Sequence, residues 1–333
     1  MGVVVIGRNE GRHLQECLDS VVGAGRLVVY VDSGSTDDSV AAARSRGVEV
    51  VELDMSTPFT AARARNAGVA RLRELSPGAP FVQFVDGDCR VVAGWIEQAE
   101  ALLRADPQLG AVFGQRHEIH PEASVFNLIC DLEWNTPLGG DSAFGGDAML
   151  RLSAFDAVHG FDPRVIASED RELWLRLQAA GWPTRRVDAR MTMHDARITR
   201  VRQWWKRSER TGHAYGQISS MHRGPIRDPH HENSQRRVIV WGIVLPLVLL
   251  AAAVPTKGLS LLGLLLYAVP VLRAIGHGRQ RGWSGREARI YAVLCVLARF
   301  PEAVGVLRWH WRRLTGRAPT LIEYKGPEGR PAS

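Results

Sequence analysis

Phe81-Val82-Gln83-Phe84-Val85-Asp86-Gly87-Asp88 is a run of apolar or near-apolar residues that stops at two carboxylates one glycine apart. Such a run predicts a buried strand over residues 81–85. Side chains alternate along a strand, so Asp86 and Asp88 are expected to point the same way where it gives out. Gly87 lets the backbone turn between them. Two hard oxygen ligands at the carboxyl end of a sheet strand suit Mg²⁺ or Mn²⁺, and such an ion can hold a diphosphate. Taken alone, Asp86-Gly87-Asp88 is equally good turn chemistry. The surrounding chain decides between the two.

Upstream, Gly2–Gly7 reads as a first strand followed by a helix over 11–22. Residues 27–31 read as a second strand, ending in Asp32-Ser33-Gly34-Ser35-Thr36-Asp37. That tail predicts a turn into a helix capped by Ser35 or Thr36, with Asp37 and Asp38 at its positive end. A third strand over 48–53 precedes a helix containing Ala64-Arg65-Asn66-Ala67-Gly68. Strands alternating with helical stretches predict βαβ units and a parallel sheet covered on both faces. Ligands bind where loops leave the carboxyl ends of such strands, and Asn9, Glu10, Asp32, Asp86 and Asp88 all fall at that edge. No glycine-rich dinucleotide fingerprint follows the first strand and no P-loop occurs, which argues against a dehydrogenase or a P-loop NTPase.

Ile6-Gly7-Arg8-Asn9-Glu10, Val31-Asp32-Ser33-Gly34-Ser35-Thr36-Asp37, Ala64-Arg65-Asn66-Ala67-Gly68 and Asp86-Gly87-Asp88, in that order, resemble the motifs of family 2 glycosyltransferases of the GT-A fold. The resemblance continues through Phe144-Gly145-Gly146-Asp147-Ala148-Met149, Gly160-Phe161-Asp162, Ser168-Glu169-Asp170, Leu173-Trp174-Leu175-Arg176-Leu177 and His194, and covers roughly residues 1–215. It implies an inverting enzyme that uses a nucleotide-diphosphate sugar and a divalent metal. Asp32 would then recognise the nucleobase, and Asn9, Glu10, Arg65 and Gly146 would line the donor pocket. Asp88 would ligate the metal with His194, while Asp86 would contact ribose or metal. Asp170 would be the base. The first motif has Ile6-Gly7-Arg8 where Pro-Thr-Tyr is usual, so an aromatic near the base is absent.

Inverting transfer is an in-line displacement, in which the leaving diphosphate gains charge and the attacking hydroxyl loses a proton. Asp170 precedes a predicted helix over 171–180 with an apolar face at Leu173, Leu177 and Ala180; a helix start favours its ionised form. Glu169 is expected to point elsewhere, toward the acceptor. Each residue also has a plainer reading: Asp170 as a helix cap, Asp32 as a turn former, Arg65 as a surface ion-pair partner, His194 as an interface histidine.

The net charge of +7 over 333 residues conceals an asymmetry. Residues 1–195 carry 19 Lys/Arg against 28 Asp/Glu, whereas 196–237 carry 10 against 3 and 273–317 carry 10 against 2. Basic charge flanking apolar segments fits an anionic membrane face better than nucleic acid. The four cysteines are scattered without ligand-like spacing, as expected of reduced, mostly buried thiols, and no signal peptide is visible. The expected division is a GT-A catalytic domain over 1–195, a basic aromatic interfacial helix and linker over 196–237, and a transmembrane hairpin over 238–275. A basic loop with interfacial or re-entrant helices over 276–317 and a flexible tail over 318–333 follow.

Residues 238–256 are uncharged and long enough to span; 258–272 is shorter and needs its flanking Lys257 and Arg273 to snorkel. The arginines on both sides of the hairpin place its ends, and the catalytic domain, on the cytoplasmic side of an inner membrane. Residues 290–307 are interrupted by Arg299, Pro301 and Glu302, and read as a kinked pair that does not cross. The expected partners are therefore a nucleotide-diphosphate sugar, membrane lipids, and a lipid-linked or glycan acceptor, with no nucleic acid. A polyprenyl-phosphate sugar transferase, a nucleotidyltransferase and a non-catalytic nucleotide-sugar-binding scaffold remain as alternatives.

Overall fold

The computed structural model describes residues 1–23, 25–134, 143–222, 224 and 226–316. The expected tail over 318–333 lies outside them. The described residues divide into two compact units: the first holds Met1–His120 and Glu133–Arg197, the second Pro121–Leu132 and those from Ile198 to Gly316. The division falls two residues beyond the expected boundary, and the second unit also takes Pro121–Leu132.

The first unit is built on β1 (Gly2–Gly7), α1 (Arg12–Val21), β2 (Leu27–Asp32), α2 (Ser39–Ser45), β3 (Glu49–Glu52), α3 (Ala61–Leu75) and β4 (Phe81–Asp86). It continues through β5 (Cys89–Val91), α4 (Trp95–Ala105) and β6 (Ala111–Glu118). After α5 (Val125–Trp134), which begins in the second unit, come β7 (Ala148–Arg151), α6 (Leu152–Ala157), α7 (Glu169–Ala179) and β8 (Thr184–His194). The eight strands form one sheet in the order β3-β2-β1-β4-β7-β6-β8-β5. The β3-β2-β1-β4 half is parallel, β6 and β8 are parallel, and the pairings of β7 with both neighbours and of β5 with β8 are antiparallel. This is the expected GT-A-like, mostly parallel sheet.

The apolar runs are strands because both faces are covered. Val3, Val4, Val5, Val29, Val31, Val82 and Val85 are all fully buried. Gln83, the polar residue of its run, is also fully buried, and its amide is satisfied by Trp95 Nε1 at 3.0 Å and the Phe84 carbonyl at 2.7 Å. Helix α3 starts at Thr60, whose hydroxyl accepts the Arg63 N–H at 3.1 Å. Gly68 lets α3 lie directly on β1: a β-carbon there would fall 2.3 Å from Val4 Cγ1. Helix α2 begins later than expected, at Ser39, because Ser35 and Thr36 bind Asn9 rather than capping a helix. Helix α7 begins earlier, at Glu169, so Glu169 and Asp170 both lie in its first turn.

The second unit contains α8 (Val201–Met221), α9 (Pro229–Ile239), α10 (Leu245–Ala251), α11 (Ala268–Gln280), α12 (Gly285–Leu297) and α13 (Arg299–Leu314). A π-helical stretch, Val240–Val244, joins α9 to α10, and a 3₁₀ stretch, Leu259–Tyr267, leads into α11. Pro246 has no N–H for the carbonyl of Gly242, which accounts for the widened turn. Three continuous helical segments are long and apolar enough to cross a membrane: Pro229–Ala251, Leu259–Gln280 and Gly285–Leu314. The first two overlap the stretch 238–275 expected as a hairpin. The third segment, expected as a short non-crossing pair, is longer, with α12 and α13 meeting at Ala298. In the stretch expected as an interfacial helix, Trp204 is buried and stacked on Phe126 at 5.7 Å, while Trp205 is exposed.

Candidate active site

Register alone brings the first site residues together. Gly7 lies opposite Asp32 and Ile6 opposite both Val31 and Asp86, so β1, β2 and β4 deliver their last residues side by side. Beyond β1, Asn9 adopts a left-handed conformation (φ 56°) and stitches two loops together. Its N–H donates to Ser35 Oγ at 2.9 Å and its Oδ1 accepts the Thr36 N–H at 2.7 Å. Asp32 is 3% exposed; its Oδ1 accepts from Tyr30 Oη at 2.9 Å, and its Oδ2 from the N–H groups of Gly34 and Ser35 at 3.0 and 2.8 Å. Glu10 Oε2 receives Arg197 Nη2 at 2.7 Å.

The two carboxylates of Asp86-Gly87-Asp88 have different partners. Asp86 closes β4, and the Gly87 N–H folds back onto the Ile6 carbonyl at 2.8 Å. Asp86 Oδ1 takes Arg65 Nη2 at 2.7 Å, and Arg116 Nη2 lies 3.5 Å from Oδ2. Burial alone would raise the Asp86 carboxyl; Arg65 and then Arg116 outweigh it and hold it below the ordinary value. Asp88 instead leads into β5, whose Cys89 is in register with His194 of β8. His194 Nε2 approaches Asp88 Oδ1 to 3.3 Å, and its ring meets that of Trp134 edge-on at 4.6 Å. Asp88, Cys89 and His194 place one donor atom each within 4.8 Å of one another.

Arg65 is the hinge of the site. Only 2% exposed, it reaches Asp86 through Nη2 and Glu169 Oε1 through Nη1, the latter also at 2.7 Å. It is therefore no surface residue, and Glu169, expected to face the acceptor, is buried against it. Any larger residue at Gly146 would push on the Arg65–Asp86 pair. A β-carbon would fall 2.5 Å from Asp86 Oδ2 and 2.6 Å from Arg65 Nη2. Asp170, beside Glu169, receives the Arg171 N–H on Oδ1 at 2.9 Å, while Oδ2 lies on the side of Gly145. The residue keeps a solvent-facing edge, yet its carboxyl sits in crowded surroundings. Burial first, then the Glu169 carboxylate, push Asp170 up to about 6 against the pull of Arg65.

Two residues of this cluster escape sequence reasoning. Asp147 is fully buried: its Oδ1 accepts the Asp86 N–H at 3.0 Å, and its Oδ2 meets Thr192 Oγ1 at 2.7 Å and Arg116 Nη2 at 2.8 Å. Arg116 carries that charge back toward Asp86. The signal for Asp147 was an acid directly preceding an apolar strand, inside a motif of which only Gly146 was singled out. Arg116 gave none, since β6 becomes a neighbour of the site only through the non-sequential strand order.

The model of glycosyl transferase family 2 matches residues 2–135, and that of glycosyl transferase family group 2 matches residues 133–300. A pre-mycofactocin glycosyltransferase of Mycobacterium tuberculosis is 28% identical over 314 residues, which cover 89% of this chain and 61% of that protein. The chain thus spans about three fifths of the length of this curated relative. Among solved structures, a mannosyltransferase from Pyrobaculum calidifontis in complex with GDP-Man and Mn²⁺ superposes with a TM-score of 0.60 at 18% identity, covering 92% of this chain and 86% of that one. With the family models accounting for nearly all of the chain outside its last residues, and a shared GT-A architecture beneath them, this protein belongs to glycosyltransferase family 2.

Proposed function

We propose that this chain transfers a sugar, with inversion, from a nucleotide-diphosphate donor to a membrane-proximal or lipid-linked glycan, with Asp170 as base. The carrying observation is the double grip of Arg65, which ties Asp86 on β4 to Glu169 on α7 and so sets Asp170 beside the donor residues. In the reaction the acceptor oxygen bonds to the anomeric carbon as the bond to the diphosphate breaks, and the hydroxyl proton passes to Asp170. A carboxyl pushed up to about 6 is ionised at neutral pH yet basic enough to take that proton. Asp86, neutralised by two guanidinium groups, is a donor-pocket residue in this reading.

A divalent cation fits Asp88 and His194, whose donor atoms are 3.3 Å apart. Cys89 Sγ belongs to the same cluster; burial and then Asp147 raise its thiol pKa, so the thiol is protonated at neutral pH unless a cation displaces the proton. A carboxylate oxygen beside an imidazole nitrogen suits Mn²⁺ better than Mg²⁺. When bound, the ion would supply positive charge for the departing diphosphate. The tuned Asp170 also discriminates between acceptors: a polyprenyl phosphate is already ionised and needs no base, whereas a sugar hydroxyl does. That favours a glycan hydroxyl over the phosphate of a lipid carrier. Three apolar helices in the same chain support an acceptor held at a membrane, where tethering raises its effective concentration.

The test is product analysis with the full chain in lipid, offered polyprenyl phosphate and a lipid-linked sugar in parallel. A glycosidic product of inverted configuration is expected from the second only. Products from the phosphate alone would overturn the acceptor assignment.

A further inference from the structure

Asp32 has a count of acceptor sites that restricts what base it can hold. An ionised carboxylate offers about four lone-pair sites, two on each oxygen. Both sites of Asp32 Oδ2 are taken, by the N–H groups of Gly34 (3.0 Å) and Ser35 (2.8 Å). On Oδ1 one is taken by the Tyr30 hydroxyl at 2.9 Å. One acceptor site remains.

The turn that uses the others is clamped from several sides. Gly34 holds a left-handed φ of 78°, Ser35 Oγ accepts the Asn9 N–H, Asn9 Oδ1 accepts the Thr36 N–H, and Asp37 Oδ2 accepts the Gly11 N–H at 3.1 Å. Rotating the carboxylate to free its second oxygen would orphan two backbone N–H groups in this turn. The pattern is therefore a fixed property of the site.

Resting on the donor-site reading above, we infer that this chain selects a uridine-type diphosphate over a guanosine diphosphate. Guanine presents two adjacent donors, its ring N–H and its amino group, which a carboxylate receives best with one oxygen each. Here one of those oxygens is already saturated. A uracil-type base presents a single imide N–H between two carbonyls, and the one remaining site on Oδ1 answers it.

The experiment uses the full chain in detergent with Mn²⁺, titrated calorimetrically with UDP and with GDP. UDP is expected to bind at least tenfold more tightly. Asp32→Asn keeps one oxygen for the Gly34 and Ser35 N–H groups but turns the other end into a donor. It is expected to weaken UDP at least tenfold, its folding checked by its melting temperature. GDP binding as tightly as UDP in the unaltered chain overturns the inference and leaves the donor site standing. So does a folded Asp32→Asn variant that binds UDP as tightly as the unaltered chain. If neither nucleotide binds the folded chain, the donor-site reading falls, and the inference with it.

Discussion

Asp170 shows what a single carboxyl contributes when folding makes it a weaker acid. Its pKa rises to about 6, burial being the largest cause and Glu169 the next, so kcat/KM should climb with pH through about 6 and then level. Asp170→Asn should remove roughly 10²–10⁴ of that rate at pH 8. Stability should move the other way. A carboxyl raised on folding stabilises the native state below its unfolded pKa, and that contribution is lost as pH rises through the folded value. Above about pH 6 the native chain bears this charge at a cost that a neutral amide would avoid, so Asp170→Asn should melt no lower than the parent at pH 8. The variant's advantage should vanish below pH 4. Melting curves at both pH values check this, and a variant melting well below the parent at pH 8 would contradict it. His194 gives a separate handle on the cation. His194→Ala should weaken Mn²⁺ roughly tenfold or more, read by the free-ion signal in electron paramagnetic resonance rather than by turnover.

At the scale of elements, the parallel half of the sheet was legible because its strands are unbroken apolar runs, and the ends of β1, β2 and β4 fell where the runs ended. The different partners of Asp86 and Asp88 were not. Alternation applies only while the strand continues, and here the Gly87 N–H bonds to Ile6 and β5 starts at once, carrying Asp88 to His194. Nor could Arg116 and Asp147 be placed, since β7 intrudes between β4 and β6 against chain order. In the second unit, α8 and α13 meet through Gly212 and Gly305. A β-carbon on Gly212 would run into the backbone at Glu302, and one on Gly305 into that of Glu209. Backbone cannot step aside as a side chain can. Around this seam Glu209, 1% exposed, pairs with Arg308 and Lys206, and Arg299 pairs with Glu302 at 3.0 Å. Gly212→Val should therefore cost about 1–3 kcal/mol or more, seen as a lower melting temperature of the full chain in detergent. A neutral result would mean that the two helices do not pack as described.

For the whole molecule, charge and apolar surface make different predictions about what holds the chain to a bilayer. The segments Pro229–Ala251 and Leu259–Gln280 leave Leu247, Val248, Leu250, Leu262 and Leu265 largely exposed, and their arginines lie outside the uncharged stretches 238–256 and 258–272. If basic residues alone held the chain, 1 M salt, with a screening length of about 3 Å, would release it from anionic vesicles. Apolar burial does not weaken with salt. At about 25 cal/mol for each Å² of apolar surface removed from water, five such side chains contribute several kcal/mol, and the full segments far more. The chain should therefore float with vesicles in 1 M salt, and with neutral lipid as well as anionic. A double substitution, Leu262→Arg and Leu265→Arg, places two charges inside the uncharged stretch 258–272, at up to about 2.5–3.5 kcal/mol each. It should shift a measurable fraction into the unbound pool while the melting of the first unit stays as it was. Full release of the unaltered chain by salt would mean that its apolar helices pack against protein instead of lipid, and the acceptor would then have to be sought away from the membrane.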